Sequence, residues 1–160
     1  MIDRLELHLA TEAYAAGIAR MSRDLIEQGL GWSWTAPRVL RSIRSPDTNV
    51  VLAHDGRRLA GFAIMKYLDA HAHLLLLAVH HGAQRRGVGT ALTQWLEGCA
   101  RVAGIVQVTL EARASNEAAR AFYRRLGYVE VETVERYYLD HEAAVRLSRD
   151  LGANGPPLAP

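Results

Sequence analysis

The sequence contains only one cysteine, Cys99, and therefore no pair that could form a disulfide within the chain. The absence of disulfides fits a reducing compartment, and we expect a cytoplasmic protein. No apolar run approaches the ~20 residues that a helix needs to cross a bilayer. Residues 1–4 do not form the basic and apolar segments of a secretory signal. We therefore expect neither a membrane partner nor export.

Neither sign of charge is in large excess. The 19 Lys and Arg residues oppose 17 Asp and Glu residues, for a net charge of +2. Lys66 is the only lysine, so the basic residues are almost all arginine. Arginine suits phosphates and carboxylates, but a uniform bias of this kind reflects genomic base composition more readily than binding. We therefore expect no nucleic-acid partner.

The length of 160 residues predicts a single domain with a substantial core. The hydrophobic content of 49% and the charged content of 22% are typical of a globular protein. No composition shift or linker divides the chain. We expect one domain over residues 1–151 and a flexible tail over residues 152–160, where glycine and proline are frequent.

Periodicity and turn residues predict seven strands and four helices in the order β-α-α-β-β-β-α-β-α-β-β. Thr11 is a potential cap for the first helix, which Gly29 would end, and Asp55 with Gly56 indicates a hairpin. The run of leucines at residues 74–77 does not alternate, so we expect a central strand that is buried on both faces. The predicted strands are 5–9, 50–54, 59–67, 72–79, 105–110, 128–138 and 143–147, with a turn at 140–142; the helices are 12–28, 37–44, 88–103 and 116–126.

This order places antiparallel strands first and a β-α-β-α-β section after them. We therefore predict an α+β fold with a central mixed, mostly antiparallel sheet, not a doubly wound parallel sheet.

A loop at residues 84–90, the glycine loop, follows the third strand of the meander and opens a predicted helix. Free N–H groups of a first helical turn favour anions, and Gly87 and Gly89 allow a diphosphate to approach the main chain. The P-loop is excluded because no lysine follows, and the dinucleotide motif is excluded because Leu92 stands in place of its third glycine. Taken alone, the two glycines also fit an ordinary strand-to-helix turn.

The glycine loop resembles the acetyl-coenzyme A loop of the GNAT N-acetyltransferases, Gln/Arg-x-x-Gly-x-Gly/Ala. Residues 76–79 before it, and residues 111–116 and 121–128 after it, match the family in order and spacing, so that the resemblance covers about residues 50–131. It implies the GNAT fold, acetyl-CoA as co-substrate and no metal. The residues expected to bind the cofactor are Leu77, Ala78, Val79, Gln84, Arg85, Arg86, Gly87, Val88, Gly89, Thr90, Asn116, Ala119 and Tyr123.

Glu111 and Tyr123 are the candidate catalytic residues. Glu111 ends an apolar strand, and we expect desolvation to raise its pKa toward that of a useful general base. Tyr123, with a phenol pKa of ~10, is a competent acid for a departing thiolate. The segment from Leu110 to Tyr123 resembles the ribosomal-protein alanine N-acetyltransferase subfamily, in which the matching residues are the proposed base and acid. The alternatives are a solvated strand-end carboxylate for Glu111 and a core aromatic residue for Tyr123.

The same resemblance implies an amine acceptor, most directly the N-terminal α-amine of a ribosomal protein. A small-molecule amine, a lysine side chain or a non-catalytic acyl-CoA-binding module remain alternatives, and the chain is expected to be a monomer or homodimer. Residues 136–138 resemble a segment of the subfamily that lies beside the peptide groove. Trp32 and Trp34 lie in the loop that forms one wall of the acceptor site in the family. The expected substrate-binding residues are Trp32, Trp34, Glu111, Tyr137 and Tyr138.

Other polar features fit this interpretation less directly. His71 and His73 share one strand face, but no acidic or cysteine partner stands at a recognisable spacing, and we expect no metal. His80 and His81 stand where the subfamily often has Asp-Pro, which changes the turn before the glycine loop. Cys99 lies on the apolar helix face and is expected to be a core residue, not a nucleophile.

Overall fold

The computed structural model describes residues 4–138 and 142–152. The side chain of Tyr138, most of the predicted turn at 140–142 and residues 153–160 of the predicted tail lie outside the described residues. The strands are β1 (Leu5–Leu9), β2 (Thr48–Asp55), β3 (Arg58–Tyr67), β4 (His71–Val79), β5 (Gln107–Arg113), β6 (Val129–Tyr138) and β7 (Glu142–Asp150). The helices are α1 (Ala15–Leu25), α2 (Ala36–Arg44), α3 (Val88–Val102) and α4 (Glu117–Arg125), with short 3-10 turns at Glu12–Tyr14 and His81–Ala83.

The seven strands form one sheet in the order β1-β2-β3-β4-β5-β7-β6. The β4–β5 pair is parallel, whereas β1–β2, β2–β3, β5–β7 and β6–β7 are antiparallel. Gly56, with φ of 62°, turns the predicted hairpin between β2 and β3. The predicted α+β fold with a mixed, mostly antiparallel sheet is therefore confirmed.

The chain forms two compact units. Unit 1 contains the residues up to Lys66 together with Leu74–Gly98, and unit 2 contains Tyr67–His73 and the residues from Cys99 onward. The sequence analysis treats them as one domain, and that stays a prediction. The core of unit 1 is built by Ile18, Trp34, Val39, Leu52, Phe62 and Ile64; in unit 2 the buried residues include Val108, Leu110, Tyr128, Ala144 and Leu147.

Strand β4 is not buried on both faces, so that prediction was wrong. Its even-numbered residues, including Leu74 and Leu76, are buried, while Leu75 and Leu77 on the other face are partly exposed. Side chains alternate between the two faces of a strand, and a run of leucines hides which face is left accessible. The partly exposed face also carries His73.

The predicted helix at residues 12–28 is shorter and broken at its start. A 3-10 turn precedes α1, and Thr11 makes no side-chain cap. At the other end the amides of Ile26 and Glu27 both donate to the carbonyl of Ser22, which closes the helix at Leu25, well before Gly29.

Glu27 organises the loop that joins α1 to α2. Its side chain is buried and accepts hydrogen bonds from the hydroxyls of Ser22 (2.9 Å) and Ser33 (2.7 Å) and from the amides of Ser33 (2.8 Å) and Trp34 (3.2 Å). Burial raises the pKa of Glu27, but the hydrogen bonds from Ser33, Ser22 and Trp34 together hold it below the usual value. Glu27 is therefore a buried carboxylate that fixes the loop carrying Trp32 and Trp34.

Glu27→Ala is expected to destabilise the protein by about 3 kcal/mol, because buried donors of this loop lose their acceptor. Denaturant unfolding measures the loss. The matched control is Glu12→Ala, which removes an exposed ion pair with Arg44 and is expected to have a much smaller effect on stability. Equal losses in the two variants would contradict the role assigned to Glu27.

Candidate active site

The glycine loop in unit 1 is held in an unusual backbone conformation. Arg85 and Gly87 both have positive φ, 64° and 83° respectively. Only glycine adopts such angles freely, so Arg85 carries a conformational cost that the rest of the loop must offset. The side-chain amide of Gln84 donates to the carbonyl of Val79 at 3.1 Å and ties the loop to the end of β4.

Most amides of the glycine loop have no backbone acceptor among the described residues, the exception being Gln84, whose N–H donates to the carbonyl of His81 at 3.4 Å. Among the described residues, no N–H from Arg85 to Thr90 donates to a backbone carbonyl, whereas the carbonyl of Gly87 accepts from Ala91 at the start of α3. Residues 84–87 are exposed. Consecutive free N–H groups, the dipole of a 15-residue helix and two arginines fit a diphosphate such as that of acetyl-CoA.

His80 takes over the capping role in the turn before the glycine loop. Its Nδ1 accepts from the amide of Gly82 at 3.2 Å and lies 3.0 Å from the guanidinium of Arg58. Since both groups are donors, Nδ1 of His80 is the acceptor in these contacts. The turn before the glycine loop therefore has a side-chain cap, although the Asp-Pro sequence is absent.

Gly61 on β3 is a site feature that the sequence analysis missed. A Cβ at this position would lie 2.7 Å from the carbonyl oxygen of Ala78 and 3.3 Å from side-chain atoms of Val88 and Leu92. The missing side chain lets β3, the end of β4 and the first turns of α3 approach closely. Ala78 and Val79 are the residues predicted to contact the pantetheine arm, and Gly61 sets the position of Ala78.

Glu111 lies in unit 2, in a row of charged and polar side chains that crosses four neighbouring strands. We call His73 on β4, Glu111 on β5, Arg146 on β7 and Glu132 on β6 the polar row. His73 Nε2 lies 2.6 Å from Glu111 Oε2, while Arg146 Nε donates to Glu111 Oε1 at 3.2 Å. Arg146 Nη1 donates to Glu132 at 2.7 Å. The Glu111 side chain is only 10% exposed, so its partners act with little screening by water.

The pKa of Glu111 is lowered, and the prediction that it would be raised was wrong. Burial does raise it, but hydrogen bonds and charge from His73, and then from Arg146, outweigh burial. Glu111 is therefore an ionised carboxylate at neutral pH. It attracts a cation strongly and is a weaker base than desolvation alone would have made it.

His73 connects Glu111 to Thr109. Since an ionised Glu111 only accepts, Nε2 of His73 carries a proton. Nδ1 lies 2.7 Å from the hydroxyl of Thr109, a group that can both donate and accept. His73 therefore has a polar partner at each of its ring nitrogens.

The same contact changes the interpretation of the histidines on β4. The carboxylate of Glu111 is the acidic partner that sequence spacing did not reveal for His73. Within residues 4–138 and 142–152, no three His, Cys, Asp or Glu side chains are arranged to hold a metal ion. His73 is therefore part of the hydrogen-bonded surroundings of Glu111, and the expectation that this site holds no metal stays a prediction.

Tyr123 lies on α4 and is buried, with 8% of its surface exposed. Its ring packs edge-on against Phe122 and Tyr128, with ring centroids 5.0 and 5.7 Å away. Asn116 caps α4, and its side-chain oxygen accepts from the amide of Ala119 at 3.1 Å. The acid role of Tyr123 and the cofactor contacts of Asn116 and Ala119 stay predictions.

Tyr137 belongs to the electrostatic surroundings of Glu111. Burial and then the negative charge of Glu111 raise the pKa of Tyr137, partly offset by Arg146. Its phenol is therefore neutral and able to donate at physiological pH. Because Tyr137 is also partly exposed, it remains a candidate for contacting an acceptor beside the carboxylate.

Trp32 and Trp34 have different environments within unit 1. Trp34 is 8% exposed, lies in the core and is covered by the guanidinium of Arg38, 3.8 Å from the ring centroid. Trp32 is 43% exposed, and its Nε1 donates to the carbonyl of Ala19 at 3.1 Å. Of this pair, Trp32 presents the larger accessible surface to an acceptor.

Cys99 on α3 is partly buried, and burial raises the pKa of its thiol. A thiol whose pKa is raised is a poor nucleophile. Cys99 is therefore a poor candidate for a nucleophile that carries the acetyl group.

The structure brings Glu111 and Tyr137 into one electrostatic cluster, and it adds His73, Thr109 and Arg146 to the candidates. These additions depend on strand pairing: β4 pairs with β5, and β5 with β7. A polar residue at every second position of a half-exposed strand was the only sequence signal that pointed to them.

Comparisons with known proteins agree with this geometry. The family model described as Acetyltransferase (GNAT) family matches residues 16–128. The chain is 34% identical to an uncharacterized N-acetyltransferase of Methanocaldococcus jannaschii, over 69% of this chain and 72% of that protein. It is 39% identical to the [ribosomal protein bS18]-alanine N-acetyltransferase of Salmonella typhimurium, over 61% of this chain and 67% of that protein.

A solved structure shows the same fold. The crystal structure of the ribosomal-protein-S18-alanine N-acetyltransferase from Escherichia coli superposes with a TM-score of 0.81 at 24% identity, covering 98% of this chain and 99% of that one. Among the described residues, no helix has both the length and the apolar character needed to span a membrane.

Proposed function

Since the chain belongs to the acetyltransferase (GNAT) family and is an acetyl-CoA-dependent N-acetyltransferase, we propose that its acceptor is the N-terminal α-amine of a protein. The Salmonella relative is named as an N-acetyltransferase that acts on the alanine of a ribosomal protein. The observation on this chain that most supports an α-amine is the lowered pKa of Glu111. The specific acceptor that we propose is a ribosomal-protein N-terminus that starts with alanine. We also propose that the reaction takes place in the cytoplasm.

The cost of deprotonating the acceptor favours an α-amine. At pH 7, removing the proton costs about 1.4 kcal/mol for an α-amine with a pKa of ~8 and about 4.6 kcal/mol for a lysine with a pKa of ~10.4. A carboxylate with a lowered pKa is a weak base, so it provides little driving force for deprotonating a lysine. Glu111 is therefore matched to the more acidic ammonium group.

In the proposed mechanism the polar row receives the proton of the acceptor. Glu111 attracts and orients the ammonium group and accepts its first proton. The neutral nitrogen then attacks the thioester carbonyl, the carbon–sulfur bond breaks, and the second proton that the nitrogen loses balances the one that the departing thiolate takes up. Acetyl-CoA supplies the acetyl group when it is bound. Tyr123 is the group proposed to protonate the departing thiolate.

The glycine loop has the role of anchoring the co-substrate. Its N–H groups from Arg85 to Thr90, together with the arginine side chains at 85 and 86, are proposed to hold the diphosphate. The backbone at Ala78 and Val79 is proposed to hold the pantetheine arm, with Gly61 fixing the first of these residues.

A coenzyme A release assay with three kinds of acceptor tests the proposal. An alanine-starting peptide is expected to react with a kcat/KM at least about tenfold above that of the same peptide with a blocked N-terminus and a free lysine, in line with the difference in deprotonation cost. A panel of small amines is the third arm. Faster reaction of the blocked peptide or of a small amine would overturn the proposed acceptor.

A further inference from the structure

Arg146 is the central cation of the polar row. It lies opposite Glu111 in the β5–β7 pairing and opposite Glu132 in the β6–β7 pairing. Its Nε and Nη2 lie 3.2 and 3.1 Å from Oε1 of Glu111, and its Nη1 lies 2.7 Å from Glu132. The strand register thus places one guanidinium between two carboxylates.

We propose that Arg146 is a positioning residue that fixes the Glu111 carboxylate and sets the pH at which it can act on the acceptor. The proposal rests on the proposed function, because it concerns the same carboxylate. It adds a residue that lies 35 positions after Glu111 in the chain and for which sequence reasoning assigned no role.

The hydrogen bonds define which part of the carboxylate is left for an acceptor. Each carboxylate oxygen has two lone pairs. Arg146 donates from Nε to Oε1 and brings Nη2 within 3.1 Å of the same oxygen, whereas His73 lies beside Oε2. Among the described contacts, Oε1 therefore has the guanidinium cation against it, which repels an ammonium group, and Oε2 does not. The ammonium group of an acceptor is therefore directed to Oε2, on the side of His73.

The groups that face Glu111 come from three neighbouring strands. His73 of β4 and Arg146 of β7 contact it directly, and Tyr137 of β6 is within its electrostatic range. Glu132 of β6 faces Arg146 on its other side. Removing the guanidinium takes away the cation beside Oε1 of Glu111, while the contact of His73 with Oε2 is kept. The proton affinity of the carboxylate then rises.

Glu132 contributes less than Glu111 to holding the guanidinium. Its side chain is 53% exposed, so water weakens the ion pair, whereas Glu111 is 10% exposed. The geometry therefore favours Arg146 acting mainly on Glu111.

A carbon-13 NMR titration of the glutamate carboxyl groups tests the proposal without any acceptor. The Glu111 signal is assigned by its loss in Glu111→Gln. In Arg146→Met, the titration midpoint of Glu111 is expected to rise by about 1 pH unit, because a neighbouring opposite charge lowers a carboxyl pKa by that order. An unchanged midpoint would overturn the proposal.

Two further variants separate charge, orientation and general damage. Arg146→Lys keeps the charge but lacks the planar fork, so the midpoint is expected to move less while kcat still falls. Arg120→Met is the matched control, because Arg120 forms the equivalent ion pair with Glu130 in the same unit. It is expected to leave the Glu111 midpoint in place. A similar shift in Arg120→Met would show a general effect of losing an arginine.

The outcomes distinguish this inference from the proposed function. If Glu111→Gln keeps full transferase activity, the proposed role of Glu111 fails, although the titration still decides whether Arg146 controls its pKa. If the midpoint does not move while Glu111→Gln is inactive, the inference fails and the proposed function stands. Should Arg146→Met not fold, Arg146→Gln replaces it in the same titration.

Discussion

Glu111→Gln is expected to lower kcat/KM for an α-amine peptide by a factor of about 10² to 10³, the range that a positioned proton acceptor contributes. The amide has nearly the shape of the carboxylate but neither its charge nor its basicity. It no longer attracts the ammonium group, and it cannot take up the proton. Acetyl-CoA binding is expected to be unchanged, since the proposed diphosphate contacts are made by the glycine loop.

The matched control for this variant is Glu130→Gln. Glu130 is also a partly buried glutamate of unit 2 held by arginines, with Arg120 and Arg124 at 2.7 and 2.8 Å. It lies outside the polar row. Steady-state kinetics and calorimetric binding of acetyl-CoA are measured for both variants. Equal activity of Glu111→Gln and the wild type would contradict the assignment of Glu111, and equal losses in both variants would show that only folding was affected.

Gly87→Val is expected to weaken acetyl-CoA binding by roughly tenfold or more. The backbone at Gly87 has φ of 83°, where a β-branched residue is strained by an energy of order 1–3 kcal/mol. A Cβ at Gly87 would meet nothing within 4 Å, so the expected effect comes from the backbone conformation and not from a clash. Changing that conformation turns the loop amides away from the diphosphate.

Gly98→Ala, in the helix α3 that follows the glycine loop, is the control for this variant. It lies in the helix interior, and an added Cβ there also meets nothing within 4 Å. Alanine is expected to stabilise the helix by about 0.5–1 kcal/mol without affecting affinity. Isothermal titration calorimetry gives the dissociation constants. Unchanged acetyl-CoA affinity in Gly87→Val would contradict the assignment of the loop.

The sequence predicted best what depends on neighbouring residues. The hairpin at Gly56 and the helix that follows Gly87 are local patterns, and both are present in the structure. The glycine loop is exposed over residues 84–87, and from Arg85 to Thr90 its amides have no backbone acceptor among the described residues, while cofactor binding by the loop stays a prediction. Local hydrogen-bonding needs and backbone freedom are written in short stretches of sequence.

The charge state of Glu111 could not be predicted in the same way. It depends on His73 and Arg146, which reach the carboxylate only through the pairing of β5 with β4 and β7. The position of Glu111 at the end of an apolar strand suggested only desolvation, which would raise its pKa, whereas its partners lower it. The helix boundary at Leu25 was missed for a related reason, because the buried side chain of Glu27 binds residues from the following loop.

One peptide that carries both a free N-terminal alanine and an internal lysine tests the central claim most directly. It is incubated with acetyl-CoA and the enzyme near pH 7, and the modified nitrogen is located by fragmentation mass spectrometry. We expect acetylation of the α-amine by the wild type, with its rate lost in Glu111→Gln. Acetylation of the lysine in preference to the α-amine, or an undiminished rate in Glu111→Gln, would contradict the account.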